Sequence, residues 1–527
     1  MAMKRWKPPL DTTRKEQLLL KRLTRTKKLF AFLRLHRHEL FNDEFQAELE
    51  GMYRSTGAGC EPLAPALMCM ISLLQAYTDT SDAEAVELTV VDARWQMVLD
   101  CMNAESPLVS QGALPTFRAR LIGAGLDRRL LERTVELAKQ TKEFDWKKLP
   151  KELRVAVDSR PFEGAGRVED TINLLGHAAR KIVDLAAKAT KLPVETIAKQ
   201  ARIPLALSSS TKTALDCDWS VPEQRSDALV ALVAQLGSLD EWLDRMQLAQ
   251  DDVIAPYVNA MQQVLAQDTE QDDKGRIQII RGVAEDRRVS IEDPEMRHGR
   301  KSKSKRFNGY KQHVTTDLDT ALILACAVTP ANRPEQEATP QLQADLRNQG
   351  AKFEQLYIDR GYINSTLVDD AHAVGAEIIC KPWQIRGGKP DLFKKTDFKL
   401  DMRSHTITCP AGQTESFEPG QVVEFDPDGC GSCPLRAQCT HSANGKGRTV
   451  SIARDERLQK KLRVLQSSGS GRARLRRRTG VEHSLAHVAA RMGRRARYIG
   501  VRKNVFDLRR AAAIQNLETI HRRKLAA

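Results

Sequence analysis

The chain has 527 residues, of which 41% are hydrophobic and 29% charged, and this composition is typical of a globular protein rather than a disordered one. It contains no apolar run of membrane-spanning length and no apolar signal-peptide segment after the basic N-terminus, so we expect a cytoplasmic protein without a membrane partner. The net charge is +15, and the excess lies after residue 450, where 21 lysines and arginines face 5 aspartates and glutamates; this favours a polyphosphate partner over a solvated basic tail.

Residues 1–150 are predicted to form a helical N-terminal domain. Apolar residues recur at helical spacing in TTRKEQLLLKRLTRTKKLFAFLRL, and PLAPALMCMISLLQAY predicts a more apolar helix. Such a domain is either a plain scaffold or a unit that recognises DNA ends through the basic faces of its helices. Periodicity alone does not separate these two interpretations.

A buried strand is predicted next, in RVAV at 154–157, and Asp158 follows it directly. Glycine and proline in the residues after Asp158 predict that the strand ends there. Residues 168–285 return to helical patterns, with no strong strand among them. We therefore predict a helical insertion that interrupts a sheet.

The sheet resumes after residue 285. FNGYKQHVTTDL and ALILACAVTPAN predict a hairpin with its turn near 317–320, and EATPQLQADLRNQG predicts a helix that ends at Gly350. FEQLYIDRGY predicts a strand followed by Asp359, and a helix near 366–373 and a strand in AEIICKPW come next. This order predicts an α/β fold, with a mixed sheet that carries helices on its faces.

Asp158 and Asp359 share one pattern, a predicted buried strand with an aspartate at its carboxyl end. Ligands of open α/β sheets bind at that end of the strands, although an Asx turn or a helix cap is the alternative for each residue. If the two strands are neighbours, the carboxylates repel each other unless a cation separates them. Because Mg²⁺ prefers carboxylate oxygens, the pair predicts a magnesium site.

A second metal site is predicted from cysteines. The pattern Cys-x20-Cys-x2-Cys-x5-Cys is formed by Cys409, Cys430, Cys433 and Cys439. A Cys-x2-Cys pair with distant cysteines predicts that the small insertion 385–449 folds around one structural Zn²⁺. An iron–sulfur cluster and reduced thiols without a metal are the alternatives.

Five blocks of the chain resemble, in order, those of bacterial insertion-sequence transposases of the DDE type. They are RVAVDSRPFEGAG, SIEDPEMRHGRKSKSKRFNGYKQHV, AVTPANRPEQEA, LYIDRGY and RTGVEHSLAHV. The chain is most similar to the branch with a cysteine-bearing insertion before the final glutamate, over about residues 35–515. The resemblance implies a ribonuclease-H-like catalytic core built from residues 151–167, 286–384 and 450–515. We predict that residues 516–527 form a basic tail.

The resemblance implies that Asp158, Asp359 and Glu482 hold two Mg²⁺ or Mn²⁺ ions. The implied partner is double-stranded DNA, both at the ends of the element and at the target, bound by a homodimer. The implied reactions are cleavage at the ends of the insertion sequence and strand transfer into target DNA. A metal-dependent nuclease with the same core and a DNA-binding protein without catalysis are the alternatives.

Glu482 and its neighbours allow more than one interpretation. The resemblance places Arg478, four residues before Glu482, on a DNA phosphate. From the residues alone, Arg478 could instead pair with Glu482 along one helix, and Thr479 could form a capping box with Glu482. The family's flanking Tyr and Lys are replaced here by Leu475 and Ala489.

Further cations are predicted to contact DNA. Arg491 and Arg494 are candidates to replace the missing flanking residues. The other candidates lie in a basic stretch around a strand start, namely Arg300, Lys301, Lys311 and His313. Alternation along a strand places the last two on one face with Gly309, where another chain could approach closely, although a flexible basic loop is the alternative.

Two other patterns are less specific. His483 and His487 are four residues apart, as zinc ligands can be, but without a nearby third ligand a polar helix face is favoured. Asp293 is an alternative metal-binding carboxylate that lacks a buried strand before it.

Overall fold

The computed structural model describes residues 5–24, 27–53, 62–141, 144, 147, 149, 151–384, 392–442 and 445–526. Among these residues, none of the helices combines the length and apolar character that a membrane span requires.

The helices before the first strand pack around a core that they share with the sheet. They are α1 (Arg14–Arg22), α2 (Leu29–Leu40), α3 (Asp43–Glu50), α4 (Pro65–Thr78), α5 (Asp82–Val91), α6 (Ala93–Leu99), α7 (Ala113–Gly123) and α8 (Asp127–Gln140). Capping boxes start α1 and α5, where Thr13 and Ser81 accept backbone N–H groups. The core of these helices continues to Val155 and Val157 of the sheet, so the predicted boundary at residue 150 does not separate two cores.

The helical insertion follows the first strand, β1 (Leu153–Glu163). It contains α9 (Thr171–Thr190), α10 (Val194–Gln200), α11 (Thr211–Ala214), α12 (Pro222–Arg245), α13 (Ala255–Asp268) and a small hairpin of β2 (Thr269–Gln271) and β3 (Ile277–Ile279). The apolar faces of these helices form a core of their own around Leu175, Leu239 and Trp242. The insertion is therefore helical, as its periodicity predicts.

The main sheet is mixed. It comprises β1, β4 (Arg297–Arg300), β5 (Arg306–Asp317), β6 (Ile323–Pro330), β7 (Phe353–Tyr357) and β8 (Glu377–Ile379), with α14 (Thr339–Asn348) and α15 (Thr366–Ala373) between its last strands. The strand order is β4-β5-β1-β7-β8, and β6 also pairs with β5. β5 is antiparallel to its partners, whereas β7 is parallel to β1 and β8. The predicted α/β class is confirmed, and the sheet is consistent with a ribonuclease-H-like core.

The cysteine-bearing insertion is built from short elements. They are β9 (Lys399–Asp401), β10 (Thr406–Thr408), β11 (Thr414–Ser416), β12 (Val422–Glu424), α16 (Pro427–Gly431), α17 (Arg436–Cys439) and β13 (Thr449–Ser451). Phe398, Ile407, Phe417 and Phe425 form its small core. Of the predicted insertion, residues 385–391 and 443–444 lie outside the described part of the chain.

The chain ends in four consecutive helices, α18 (Glu456–Ser467), α19 (Gly469–Arg476), α20 (Thr479–Met492) and α21 (Val501–Ala526). The predicted basic tail at 516–527 is wrong, because α21 continues through it and Asn516, Leu517 and Ile520 are buried. Apolar residues at helical spacing between the basic ones place this segment in the core.

Candidate active site

The strand that carries Asp158 does not end at that residue. β1 pairs with β5 from Val155 to Glu163, whereas its pairing with β7 stops at Ala156. Pro161 lies in the stretch where β1 has lost β7 as a neighbour, and a proline is tolerated at such an edge. The predicted strand end is therefore wrong, but Asp158 does lie just past the point where a neighbouring strand stops.

Asp359 lies at the matching position beyond β7. In the register of the two strands, Ala156 is opposite Tyr357. Asp158 and Asp359 each lie two residues further along their own strand direction. Asp359 also caps a 3₁₀ turn, where its Oδ1 accepts the backbone N–H of Arg360 at 2.7 Å. Asp359 can thus cap this turn and also lie beside Asp158 at one edge of the sheet.

Glu482 reaches this edge from α20. Val481 and Leu485 of the helix are buried in one cluster with Ala156 and Tyr357, so α20 packs on the face of the sheet towards which Ala156 points. The predicted capping box is absent, because α20 starts with Arg478 as its cap residue without a side-chain cap, and the Thr479 hydroxyl donates to the carbonyl of Arg476.

Arg478 contacts two of the three acidic residues and is influenced by the charge of the third. Its Nη1 donates to Oδ2 of Asp158 at 2.5 Å, and its Nη2 donates to Oε1 of Glu482 at 2.9 Å. Burial acts to lower the pKa of Arg478, but the carboxylates of Asp158, Asp359 and Glu482 outweigh it and raise this pKa above its ordinary value. All three carboxylates therefore act on one guanidinium. We call Asp158, Asp359 and Glu482 the acidic cluster.

Asp158 is the most enclosed member of the acidic cluster. Burial raises the pKa of Asp158, and the nearby charge of Asp359 acts in the same direction. Arg478 and the backbone N–H of Ser159, which donates to Oδ1 at 2.8 Å, oppose this effect without cancelling it. The carboxylate is thus short of compensating positive charge.

The donors of the acidic cluster suit a hard divalent cation, since all of them are carboxylate oxygens. Within the described ranges, however, no group of three or more His, Cys, Asp or Glu is arranged to hold a metal ion as it stands. At the acidic cluster, the guanidinium of Arg478 lies between Asp158 and Glu482. The positive charge that Asp158 and Glu482 contact in this structure is therefore the Arg478 guanidinium.

The four clustered cysteines line one cavity of about 20 Å³, together with apolar residues such as Phe425. Burial raises the pKa of the Cys439 thiol; Arg448 opposes this shift, and the thiols of Cys409, Cys430 and Cys433 add to it. The fold thus brings together residues that are far apart in the sequence, and zinc binding stays a prediction.

His313 is not available to DNA, so its predicted role is wrong. The residue is fully buried, and its ring nitrogens are hydrogen-bonded to the Tyr362 hydroxyl at 2.7 Å and the Thr329 hydroxyl at 3.0 Å. Burial lowers the pKa of His313 to about 3. The space beside Gly309 is also filled from within, because a Cβ there would lie 2.2 Å from the backbone nitrogen of Gly164.

The other predicted DNA-contacting cations differ in their surroundings. Lys311 donates to the carbonyl of Arg333 at 2.8 Å, and Arg491 pairs with Glu518 of α21. Those exposed to solvent are Arg300, Lys301 and Arg494.

The less specific candidates form no group of metal ligands within the part of the chain that the structure describes. His483 and His487 are exposed on α20, as a polar helix face requires. Asp293 is fully buried and accepts the Tyr310 hydroxyl at 2.5 Å, which is a structural contact inside the core.

Two charged residues beside the acidic cluster were not singled out by the sequence patterns. Oε1 of Glu335 accepts the Ser159 hydroxyl at 2.6 Å, next to Asp158. Arg160 lies two residues after Asp158 on the same strand and donates to Gln312 at 2.6 Å. Both lie in blocks that carry the family resemblance, which was the signal available for them.

Comparison with known proteins relates part of the chain to a protein family. Residues 283–517 match the model of the transposase DDE domain. Neither a curated protein nor a solved structure matches the chain. The matched segment contains Asp359, Arg478 and Glu482, whereas Asp158 lies before it and is linked to them by the strand register and by the Arg478 contact. Over residues 283–517, the chain is therefore similar to a transposase DDE domain.

Proposed function

We propose that this protein cleaves DNA at the ends of an insertion sequence and joins those ends to target DNA. The observation that carries the proposal is the convergence of three carboxylates, from β1, the end of β7 and α20, on the guanidinium of Arg478. Carboxylates that converge in this way on one cation are what a divalent metal site of a polynucleotidyl transferase requires.

Asp158, Asp359 and Glu482 would hold the two Mg²⁺ or Mn²⁺ ions. When bound, such ions lower the pKa of an attacking water or 3′-hydroxyl and stabilise the leaving oxygen of the phosphodiester. Asp158 supplies a carboxylate fixed by burial and by its Ser159 hydrogen bond, whereas Glu482 is exposed on α20. The fixed aspartate orients the site, and the exposed glutamate can adjust to the DNA.

Arg478 would bind a DNA phosphate next to the reacting bond. A guanidinium fits two phosphate oxygens as well as it fits carboxylates, so the DNA backbone can replace the carboxylates as its partner. Its release from Asp158 and Glu482 would leave those oxygens free for the metal ions.

The exposed cations Arg300, Lys301 and Arg494 would contact the phosphates of double-stranded DNA. Lys311 and Arg491 already have partners inside the protein, so we assign them a weaker, long-range contribution. Because two element ends must meet before joining to the target, a homodimer is the expected active form.

The cysteine-bearing insertion would be stabilised by one structural Zn²⁺ bound to the four thiols that line its cavity. Four thiolates leave no open position on the ion, so this site would hold the insertion together without a part in cleavage.

Asp158→Asn tests the proposal, because it removes a metal-binding charge but keeps the shape of the side chain. We expect DNA binding to be retained, and Mg²⁺-dependent cleavage and joining of precut ends to a labelled target to fall at least 100-fold (on the order of a lost metal ligand or its support). Asp227→Asn, an exposed residue of the helical insertion, is the control.

The same assay separates the alternatives. Hydrolysis by the wild-type protein without any joined product would indicate a nuclease instead of a transposase. Binding without Mg²⁺-dependent cleavage would indicate a DNA-binding protein. An unchanged cleavage rate in Asp158→Asn would refute the site assignment.

A further inference from the structure

The spacing of the two aspartates is not set by the sheet itself. The last paired residues of β1 and β7 are Ala156 and Tyr357, two positions before Asp158 and Asp359. Asp359 is exposed in a 3₁₀ turn. Because β1 and β7 are no longer paired at the two aspartates, another contact is needed to fix their separation.

Glu335 supplies such a contact to the chain beside Asp158. Its carboxylate accepts the hydroxyl of Ser159, the residue directly after Asp158, at 2.6 Å. Ser159 also donates its backbone N–H to Asp158. The hydroxyl and the amide of this one residue therefore bind the side chains of Glu335 and Asp158.

The other oxygen of Glu335 faces the turn that follows Asp359. A Cβ placed on Gly361 would lie 2.0 Å from Oε2 of Glu335, so the carboxylate packs directly on the backbone of that glycine. Only a residue without a side chain allows this approach. Glu335 is thus wedged between the residue after Asp158 and the turn after Asp359.

Buried Tyr362 shows that these carboxylates surround one region. Burial raises the pKa of Tyr362, and the charges of Glu335, Asp158 and Asp359 act in the same direction. The Tyr362 hydroxyl is hydrogen-bonded to one ring nitrogen of His313, and the other ring nitrogen bonds to the Thr329 hydroxyl. Tyr362, His313 and Thr329 thus form one buried set of hydrogen-bonded side chains close to the three carboxylates.

We propose that Glu335 is a positioning residue that holds Asp158 and Asp359 at the separation needed to bind metal ions. This inference rests on the proposed function. Glu335 acts through Ser159 and the Gly361 turn and does not itself bind the metal.

Metal affinity measured without DNA tests the role. We would titrate the full-length protein with Mn²⁺ and compare the wild type with Glu335→Gln, Glu335→Ala, Ser159→Ala and the double variant Ser159→Ala/Glu335→Ala. Loss of a supporting residue costs about 10–100-fold in metal affinity. We expect that loss in both alanine variants and no loss beyond that of Glu335→Ala in the double variant, because both substitutions break the contact between Ser159 and Glu335.

Glu335→Gln separates positioning from a charge or ligand effect. Its amide oxygen can still accept the Ser159 hydroxyl, so we expect an affinity within about 3-fold of the wild type, well short of the loss for a missing support. Glu337→Ala, an exposed residue of the same 3₁₀ turn (Glu335–Ala338), is the matched control and should bind Mn²⁺ like the wild type. Thermal unfolding without metal checks that each variant is folded, and Ser159→Ala carries the test if Glu335→Ala does not fold.

Three results would overturn the positioning role. They are wild-type affinity in Glu335→Ala or Ser159→Ala, additive losses in the double variant, and a loss in Glu335→Gln as large as in Glu335→Ala. Asp158→Asn distinguishes this failure from that of the proposed function. If Asp158→Asn also bound Mn²⁺ like the wild type, the metal site itself would be refuted, and the role of Glu335 with it.

Discussion

Replacing Arg478 by glutamine tests whether this arginine serves as the internal cation of the acidic cluster. The hydrogen bond to Asp158 joins side chains that are 24% and 15% exposed, so it should contribute about 1.5–3 kcal/mol, as hydrogen bonds to charged groups do. Glu482 is 51% exposed, and its i,i+4 pair should add only about 0.3–0.5 kcal/mol. We expect Arg478→Gln to lower the free energy of unfolding by about 2 kcal/mol when no metal is added.

The same substitution should raise metal affinity in the absence of DNA. If a metal ion must displace the guanidinium, metal binding to the wild type includes the cost of breaking its contacts. Arg478→Gln removes this cost of about 2 kcal/mol, which corresponds to roughly 30-fold tighter Mn²⁺ binding. DNA cleavage should nevertheless fall, because the phosphate contact is lost. The loss of stability should therefore shrink towards zero once Mn²⁺ is present at saturating concentration, because the tighter metal binding offsets it.

Denaturant unfolding with and without Mn²⁺, together with calorimetric titration of the metal, measures both effects. Measurement at pH 8 limits protonation of Asp158, whose pKa burial raises. Arg477→Gln, an exposed neighbour, is the control. Equal stability and equal Mn²⁺ affinity in Arg478→Gln and the wild type would show that the guanidinium does not compensate the carboxylates, and the reasoning would fail.

Two further predictions concern other parts of the chain. Because burial lowers the pKa of His313 to about 3, the unfolded chain binds a proton between pH 6.5 and 3 that the folded protein does not. Stability is therefore lost as the pH falls through this window, by up to about 1.4 kcal/mol per pH unit, and denaturant unfolding should show a shallower pH dependence in His313→Gln; an identical slope would contradict a buried neutral histidine. For the cysteine cavity we expect one zinc ion per chain by elemental analysis, lost in Cys433→Ser and kept in Cys217→Ser; a metal-free wild-type protein would contradict the zinc site.

The sheet itself was largely predictable from local patterns. The hairpin of β5 and β6, with its turn between Asp317 and Ile323, follows from two β-rich runs, and α14 and α15 lie where helical spacing predicts them. These features depend on residues close in sequence. The candidate metal ligands Asp158 and Asp359 were predictable for the same reason, because each was recognised from the strand pattern just before it.

What could not be predicted depends on neighbours distant in sequence. Pro161 is tolerated in β1 because β7 has already stopped, a fact that only the pairing of the strands reveals. Alternation predicts that His313 lies on one face of β5. It does not predict that Thr329 and Tyr362 cover this face. Spacing predicts the pairing of Arg478 with Glu482, whereas its bond to Asp158 spans 320 residues and requires α20 to pack on the sheet.

The charge balance at Asp158 differs from that of a purely structural aspartate in the same protein. Asp127 is fully buried, yet Arg502 and Arg509 both bond to it, and these arginines outweigh burial and hold its pKa below the ordinary value. Asp158 shares its single arginine with the rest of the acidic cluster, and its pKa is raised. Burial also raises the pKa of Asp345 and Asp317 in the core, so the raised pKa of Asp158 gains its meaning from the two further carboxylates beside it. Three carboxylates that act on the same guanidinium are explained if further positive charge is to be supplied from outside the chain, as divalent ions would supply it.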